Sequence, residues 1–275
     1  MKLACVDGRA RVVVGEQVVD VESASEGALS SNPMAHVGSL DALAGLPVPA
    51  SSRAIEDVVF EAPIPRPSKV LAIGLNYRRH AEETGFEIPE EPVVFAKLPN
   101  AICGPTEEIV VPSDTNQIDW EAELVVVIGT PGARILASDA WDHVAGFMCG
   151  QDISDRAEQF RAASQFTFAK SYDTFAPTGP YVVTLDELPD PNNLRISCSI
   201  DGEVMQDSRT SDFIFSVPEI IEWLTRYVSL EAGDLIFTGT PEGVGMALDP
   251  ARYLAPGIVI GTEIEGLGSM RNPCV

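Results

Sequence analysis

The chain is poor in positive charge. Its 275 residues carry 18 Lys and Arg against 41 Asp and Glu, a formal net charge of −23. Nucleic-acid binding needs Lys and Arg on phosphates, so that class is excluded. A small anionic substrate is not excluded, because a few local cations and a metal ion can hold it. Most of the acidity reads as a solubilising surface. Cysteines are few: Cys5, Cys103, Cys149, Cys198 and Cys274 are odd in number, widely spaced and contain no C-x-x-C. That pattern argues against a disulfide framework or a zinc knuckle and fits a reducing compartment, the cytoplasm being expected. No apolar run approaches the ~20 residues of a membrane span. Asp7, Arg9 and Arg11 interrupt any signal-peptide core near Met1. No membrane partner is therefore expected, and there is no internal repeat or low-complexity segment.

What remains is an ordinary soluble composition, 45% hydrophobic and 21% charged. The length suits one large domain with a small one. Residues 1–62 read as a small β-rich N-terminal domain with a hairpin turning near Gly15 and Glu16. Ala62-Pro63-Ile64-Pro65-Arg66-Pro67 is a stiff connector, and residues 63–275 form the larger domain.

Asp119-Trp120-Glu121-Ala122-Glu123-Leu124-Val125-Val126-Val127-Ile128-Gly129 reads as a buried strand. Alternate side chains share a face, so Glu121 and Glu123 point the same way. Two adjacent carboxylates on an apolar strand repel each other and are costly to bury. A hard divalent cation resolves the conflict, because it takes carboxylate oxygens. The plainer alternative is a strand end with a solvated face. Asp152 ends the apolar run Gly146–Gln151 and is placed as a third ligand, or else caps the next helix.

Histidine is scarce, with His36, His80 and His143 the full set. His36 sits in a polar loop and His143 on a helix face begun by Ser138 as N-cap; neither is assigned chemistry. His80 and Glu83 are i and i+3 on a short helix ended by Gly85. A carboxylate beside an imidazole orients it as a general base, although an exposed ion pair would look the same. Lys97 ends an apolar strand and points into either a cleft or solvent. Ile109-Val110-Val111 reads as a strand and Pro177-Thr178-Gly179-Pro180 as a turn. Arg156 and Gln159 share a helix face, and Lys170 lies in an apolar setting. Asp201-Gly202 is a hairpin turn, and Ser216 to Glu219 is a capping box that opens an amphipathic helix. Gly239 to Gly245 is a glycine-rich turn whose N–H groups could cradle an anion. It lacks the ending of a P-loop.

Five pieces occur in order: Gly74-Leu75-Asn76-Tyr77 leading to His80, Trp120 to Leu124, Gln151-Asp152, Ala169-Lys170-Ser171 and Thr238 to Gly245. Over roughly residues 65–275 the chain resembles the fumarylacetoacetate hydrolase family, and within it the acylpyruvase-like and diketo-deoxy-sugar-acid hydrolase branch. The resemblance implies an α+β, mainly β fold, a mixed β-roll with a small β-rich N-terminal domain, and a homodimer. It implies one Mg²⁺ or Mn²⁺ on Glu121, Glu123 and Asp152, a His80–Glu83 base dyad and Lys170 near the metal. It implies substrate contacts from Arg156, Gln159 and Thr240. Asn76 stands where the hydrolase that names the family has a further aspartate ligand, which puts fumarylacetoacetate itself in doubt as substrate.

The expected activity is metal-dependent hydrolysis of a C–C bond in an acylpyruvate or 2,4-diketo acid, giving pyruvate and a carboxylic acid. His80 would activate the water. The same chemistry without water gives a 2-hydroxymuconate-type isomerase or an oxaloacetate decarboxylase. A non-catalytic metal-binding module is the alternative outside enzymes.

Overall fold

The computed structural model describes residues 1–161 and 165–275. Runs of β-branched residues dictate a strand-rich chain. In order these are β1 (Lys2–Val6), β2 (Arg9–Val14), β3 (Gln17–Asp20), β4 (Arg53–Ala54), β5 (Val70–Gly74), β6 (Val93–Lys97), β7 (Ile102–Cys103), β8 (Ile118–Asp119) and β9 (Ala122–Ile128). They continue with β10 (Val144–Gln151), β11 (Ser154–Asp155), β12 (Ala176–Val183), β13 (Arg195–Ile200), β14 (Glu203–Arg209), β15 (Leu235–Phe237), β16 (Val259–Ile264) and β17 (Gly268–Pro273). The α-helices are α1 (Val21–Ala24), α2 (Arg78–Thr84), α3 (Arg156–Arg161) and α4 (Val217–Thr225). None is long and apolar enough to cross a membrane among the described residues.

The fold is α+β and mainly β, as expected. A large mixed sheet runs β4-β3-β2-β1-β12-β10-β9-β15-β5-β6, with β7 beside β12. Its pairings are antiparallel except β15 with β5 and β12 with β7. A second, antiparallel sheet runs β14-β13-β16-β17. β9 is central to the first sheet and every one of its residues is buried. Apolar side chains from both its faces join the core, which is why it reads as a continuous apolar run rather than an alternating one. Two buried glutamines tie the sheets together. Gln151 on β10 donates to Thr262 on β16 at 2.9 Å, and Gln206 on β14 accepts from Ala122 N–H at 3.0 Å.

Local expectations fare unevenly. The hairpins at Gly15 and at Asp201-Gly202 form, and α4 carries the Ser216–Glu219 capping box. The strand expected from Asp119 to Gly129 is broken: β9 starts at Ala122, because the N–H of Glu121 turns to the side chain of Gln151 at 2.9 Å instead of a neighbouring strand. Pro177-Thr178-Gly179-Pro180 is not a turn but lies inside β12. A register shift against β10, between Phe147 and Cys149, absorbs the irregular backbone. Ile109–Val111 forms only a bridge from Ile109 to Cys274. Ser138 does not cap its helix: Leu136 holds that position and the Ser138 hydroxyl bonds Asp139. Residues 1–62 share the large sheet with the rest, since β1 pairs with β12 from Lys2 to Ala4.

Candidate active site

Main-chain geometry assembles the carboxylates. The N–H of Asp152 donates to the carbonyl of Glu121 at 2.9 Å, which sets these two residues side by side at the ends of adjacent strands. Glu123 lies opposite Gly150 in the β9–β10 ladder. Glu121, Glu123 and Asp152 thereby bring one oxygen each within 4.8 Å of one another, all buried. The solvated-face alternative is excluded by this burial.

Three cations thread the cluster. Lys170 Nζ donates to Glu121 Oε2 at 2.7 Å and to Asp152 Oδ2 at 2.5 Å. Arg156 places Nη2 2.7 Å from Glu121 Oε1 and donates through Nε to Asp119 Oδ2 at 2.8 Å. Lys97, which sequence left undecided, points inward. Its Nζ donates to Asp152 Oδ1 at 2.5 Å and to the carbonyl of Lys170. Glu123 differs from its neighbours: its oxygen accepts the Gly239 N–H at 2.7 Å and has no cationic partner among the described residues.

The electrostatics follow from these partners. Burial, with Asp152 and Glu121 nearby, pushes the Glu123 carboxyl well above the usual range. Burial would raise Glu121 too, but Lys170 and Arg156 draw it far below. Burial alone would lower Lys170, and the Asp152 and Glu121 carboxylates hold it raised. Burial lowers Lys97, with Asp152 opposing. The donor set fits a hard divalent cation, because it places one under-compensated carboxylate beside two others in a buried pocket.

His80 is buried on α2 rather than paired at the surface. Its Nδ1 lies 3.4 Å from Glu83 Oε2. Both Glu83 oxygens also accept the Gly243 N–H, at 2.9 and 3.1 Å. The glycine-rich turn does cradle anions, but they are the protein's own carboxylates. Gly239 serves Glu123, Gly243 serves Glu83, and Gly245 serves Asp119 at 2.7 Å. The turn needs glycine. At Gly243, φ is +96°, and a Cβ at Gly245 would collide with the carbonyl of Arg252.

A cavity of about 220 Å³ opens onto this cluster, a size for a small molecule. His80, Glu121, Glu123, Arg156, Gln159, Lys170 and Thr240 line it. Of the other two expected residues, Glu83 stands behind His80 and Asp152 behind Lys170. Phe86, Val93, Phe95, Phe160 and Phe166 form an apolar wall. Arg156 also donates to Gln159 at 2.9 Å. Thr240 donates to the Ala122 carbonyl and accepts from Gln206, both at 2.9 Å. Sequence reasoning left Lys97 undecided and gave Asp119, Gln151 and Gln206 no part in the site. Only Lys97 had a local signal, a lysine closing an apolar strand.

A family model, fumarylacetoacetate (FAA) hydrolase C-terminal, matches residues 69–275. The chain belongs to this family of enzymes. It is 44% identical over 220 residues to the bovine mitochondrial oxaloacetate tautomerase FAHD2A, covering 80% of this chain and 70% of that one. A solved Mycobacterium smegmatis protein, provisionally named HpcE, is 44% identical with a TM-score of 0.92, covering 100% of this chain and 99% of that one. Maleylpyruvate hydrolase from Sphingobium sp. SYK-6, solved with manganese(II) and pyruvate, is 29% identical with a TM-score of 0.84, covering 100% and 99%.

Two expectations change. The bovine relative and its rat and human counterparts are named mitochondrial, which overturns the cytoplasmic expectation. Five free, buried cysteines argue only against an oxidising compartment and do not tell one reducing compartment from another. The activity in those relatives' names is tautomerisation of oxaloacetate, so C–C hydrolysis is no longer the leading reading.

Proposed function

We propose that this protein is a divalent-cation-dependent enzyme that interconverts enol and keto forms of a small 2-oxo acid of the oxaloacetate class. The observation that carries this reading is one small cavity lined by Glu121 and Glu123 of the carboxylate cluster and by His80. The names of the tautomerase relatives support the substrate class.

Glu121, Glu123 and Asp152 would hold Mg²⁺ or Mn²⁺. When bound, the ion supplies a Lewis acid and a chelating template for a 2-oxo carboxylate. The chain's own groups move the proton. His80 takes the proton that the enol hydroxyl gives up and delivers one to C3, or runs the same transfer in reverse, so that the imidazole ends as it began. Atoms balance, since one proton leaves oxygen and one joins carbon. Glu83, itself pinned by Gly243, keeps the imidazole oriented. Lys170 and Arg156 offset carboxylate charge so that an anionic substrate can approach. The phenylalanine wall gives the cavity an apolar side facing the reacting carbon.

A second reading, hydrolysis of an acylpyruvate, is favoured by the manganese- and pyruvate-bound maleylpyruvate hydrolase. It needs His80 to activate a water instead of carbon. The test is a panel of enolic oxaloacetate, acetylpyruvate and fumarylpyruvate with Mg²⁺, Mn²⁺ or EDTA. Enol absorbance and NMR of products are followed. Accelerated ketonisation without carbon dioxide release, lost with EDTA, is expected. Pyruvate plus a free acid from a diketo substrate alone would replace this reading with the hydrolase. Pyruvate plus carbon dioxide would replace it with a decarboxylase.

A further inference from the structure

Lys97 is a buried charge to which the proposed chemistry gives no task. It is 1% exposed. It does not line the cavity, and its ammonium goes to Asp152 and to the Lys170 carbonyl. Its effect is on the charge balance. Asp119, Glu121, Glu123 and Asp152 are joined with Lys97, Arg156 and Lys170 in one buried network. With every group ionised, four carboxylates against three cations leave one negative charge over, and Glu123 is where it lacks a cationic partner. A divalent ion turns that deficit into one excess positive charge. The single carboxylate of pyruvate then restores neutrality. Away from water, each such imbalance is strongly felt.

We propose that Lys97 is a positioning residue that loosens the protein's hold on the cation and tightens its hold on the substrate anion. It acts as a fixed charge, and so couples the two binding events. Without Lys97 the cluster would be neutral once the cation is bound, and the arriving anion would find no positive charge waiting. The inference rests on the cation-dependent function proposed above.

The test uses the full chain with Lys97→Met and Lys97→Gln. Mn²⁺ is titrated and free ion is read by electron paramagnetic resonance. Pyruvate is then titrated onto the Mn²⁺-loaded protein by calorimetry. Both variants should bind Mn²⁺ about tenfold tighter and pyruvate about tenfold weaker, a modest share of what one charge a few ångströms away can exert. Gln keeps a donor for Asp152, so a shift shared by Gln and Met belongs to the charge. Gln also carries the test alone if Met does not fold. Weakening of both ligands together would reduce Lys97 to a structural prop and overturn the proposal. Unchanged affinities would overturn it too. Wild-type protein that binds no Mn²⁺ would break the proposed function and this inference with it. Wild-type binding beside unmoved variants would break the inference alone.

Discussion

Asp234 and Glu123 are both buried acids at opposite ends of β15, and they have opposite surroundings. Asp234 precedes the strand. It accepts the N–H groups of Lys69 and Glu231 at 2.9 and 2.7 Å, and the Lys69 ammonium lies 2.9 Å away. Glu123 faces the residues that follow the strand. It has one backbone donor, two carboxylates beside it and no cationic partner among the described residues. Burial of an acid is therefore not what marks a site. Asp234 is closed by its own fold and holds β15 to β5. Glu123 is left short, in a cavity, where something positive can come.

The largest expected effect tests the open acid. Glu123→Gln keeps the shape and removes the charge. Turnover should fall to background and Mn²⁺ affinity by about 100-fold or more, losses on the scale that altering a ligand's surroundings already produces. Without added metal, stability relative to the native chain should rise by about 1 kcal/mol at high pH, where the buried Glu123 carboxyl is forced to ionise beside Asp152 and Glu121. Retained Mn²⁺ binding would remove Glu123 from the ligand set. Next is His80→Asn, which leaves the carboxylates alone. A rate loss of about 10²–10⁴-fold is expected for a general acid–base group. Mn²⁺ affinity should stay within about twofold. Equal loss of both would mean that His80 supports the cluster rather than moving a proton. The smallest effect on function belongs to the closed acid. Asp234→Ala strands two backbone donors and an ammonium, so denaturant unfolding should report a loss of about 3 kcal/mol. The Mn²⁺ affinity of the folded protein should not move. A stability gain there, or a cation-binding defect, would erase the distinction between the two acids.

Much of this was legible in the chain. The capping box at Ser216 and the hairpins depend on neighbours within a few residues, and they read correctly; strand runs read correctly in part, since β9 starts only at Ala122 and Ile109–Val111 makes a single bridge. Glu121 and Glu123 were legible because acids are out of place in an apolar run. His80 and Glu83 were legible because helical spacing brings them together. Pro177 to Pro180 misled, since proline and glycine mark a turn locally. Only the partner strands show that the segment is extended and that β12 shifts register around it. The glycine turn misled in a more instructive way. Its N–H groups were read as open to an anion, yet Glu83 from one distant part of the chain and Asp119 and Glu123 from another fill them.

The sequence by itself determined the kinds of residue present, their order, and the local geometry that sets Glu121 near Glu123 and His80 over Glu83. The His80–Glu83 pairing needs only the period of a helix; Glu121 sits just before β9, so its place near Glu123 also depends on Gln151 taking its N–H. Tertiary structure alone decided which charges meet. Asp152 lies 55 residues from Lys97 and 18 from Lys170, and both ammonium groups reach it. No local period spans such distances. The pairing comes from the end of β6 and the segment before β12 meeting at the end of β10, in a buried place where a charge left without a partner is expensive. The fold therefore chose the partners of every carboxylate in the cluster but one.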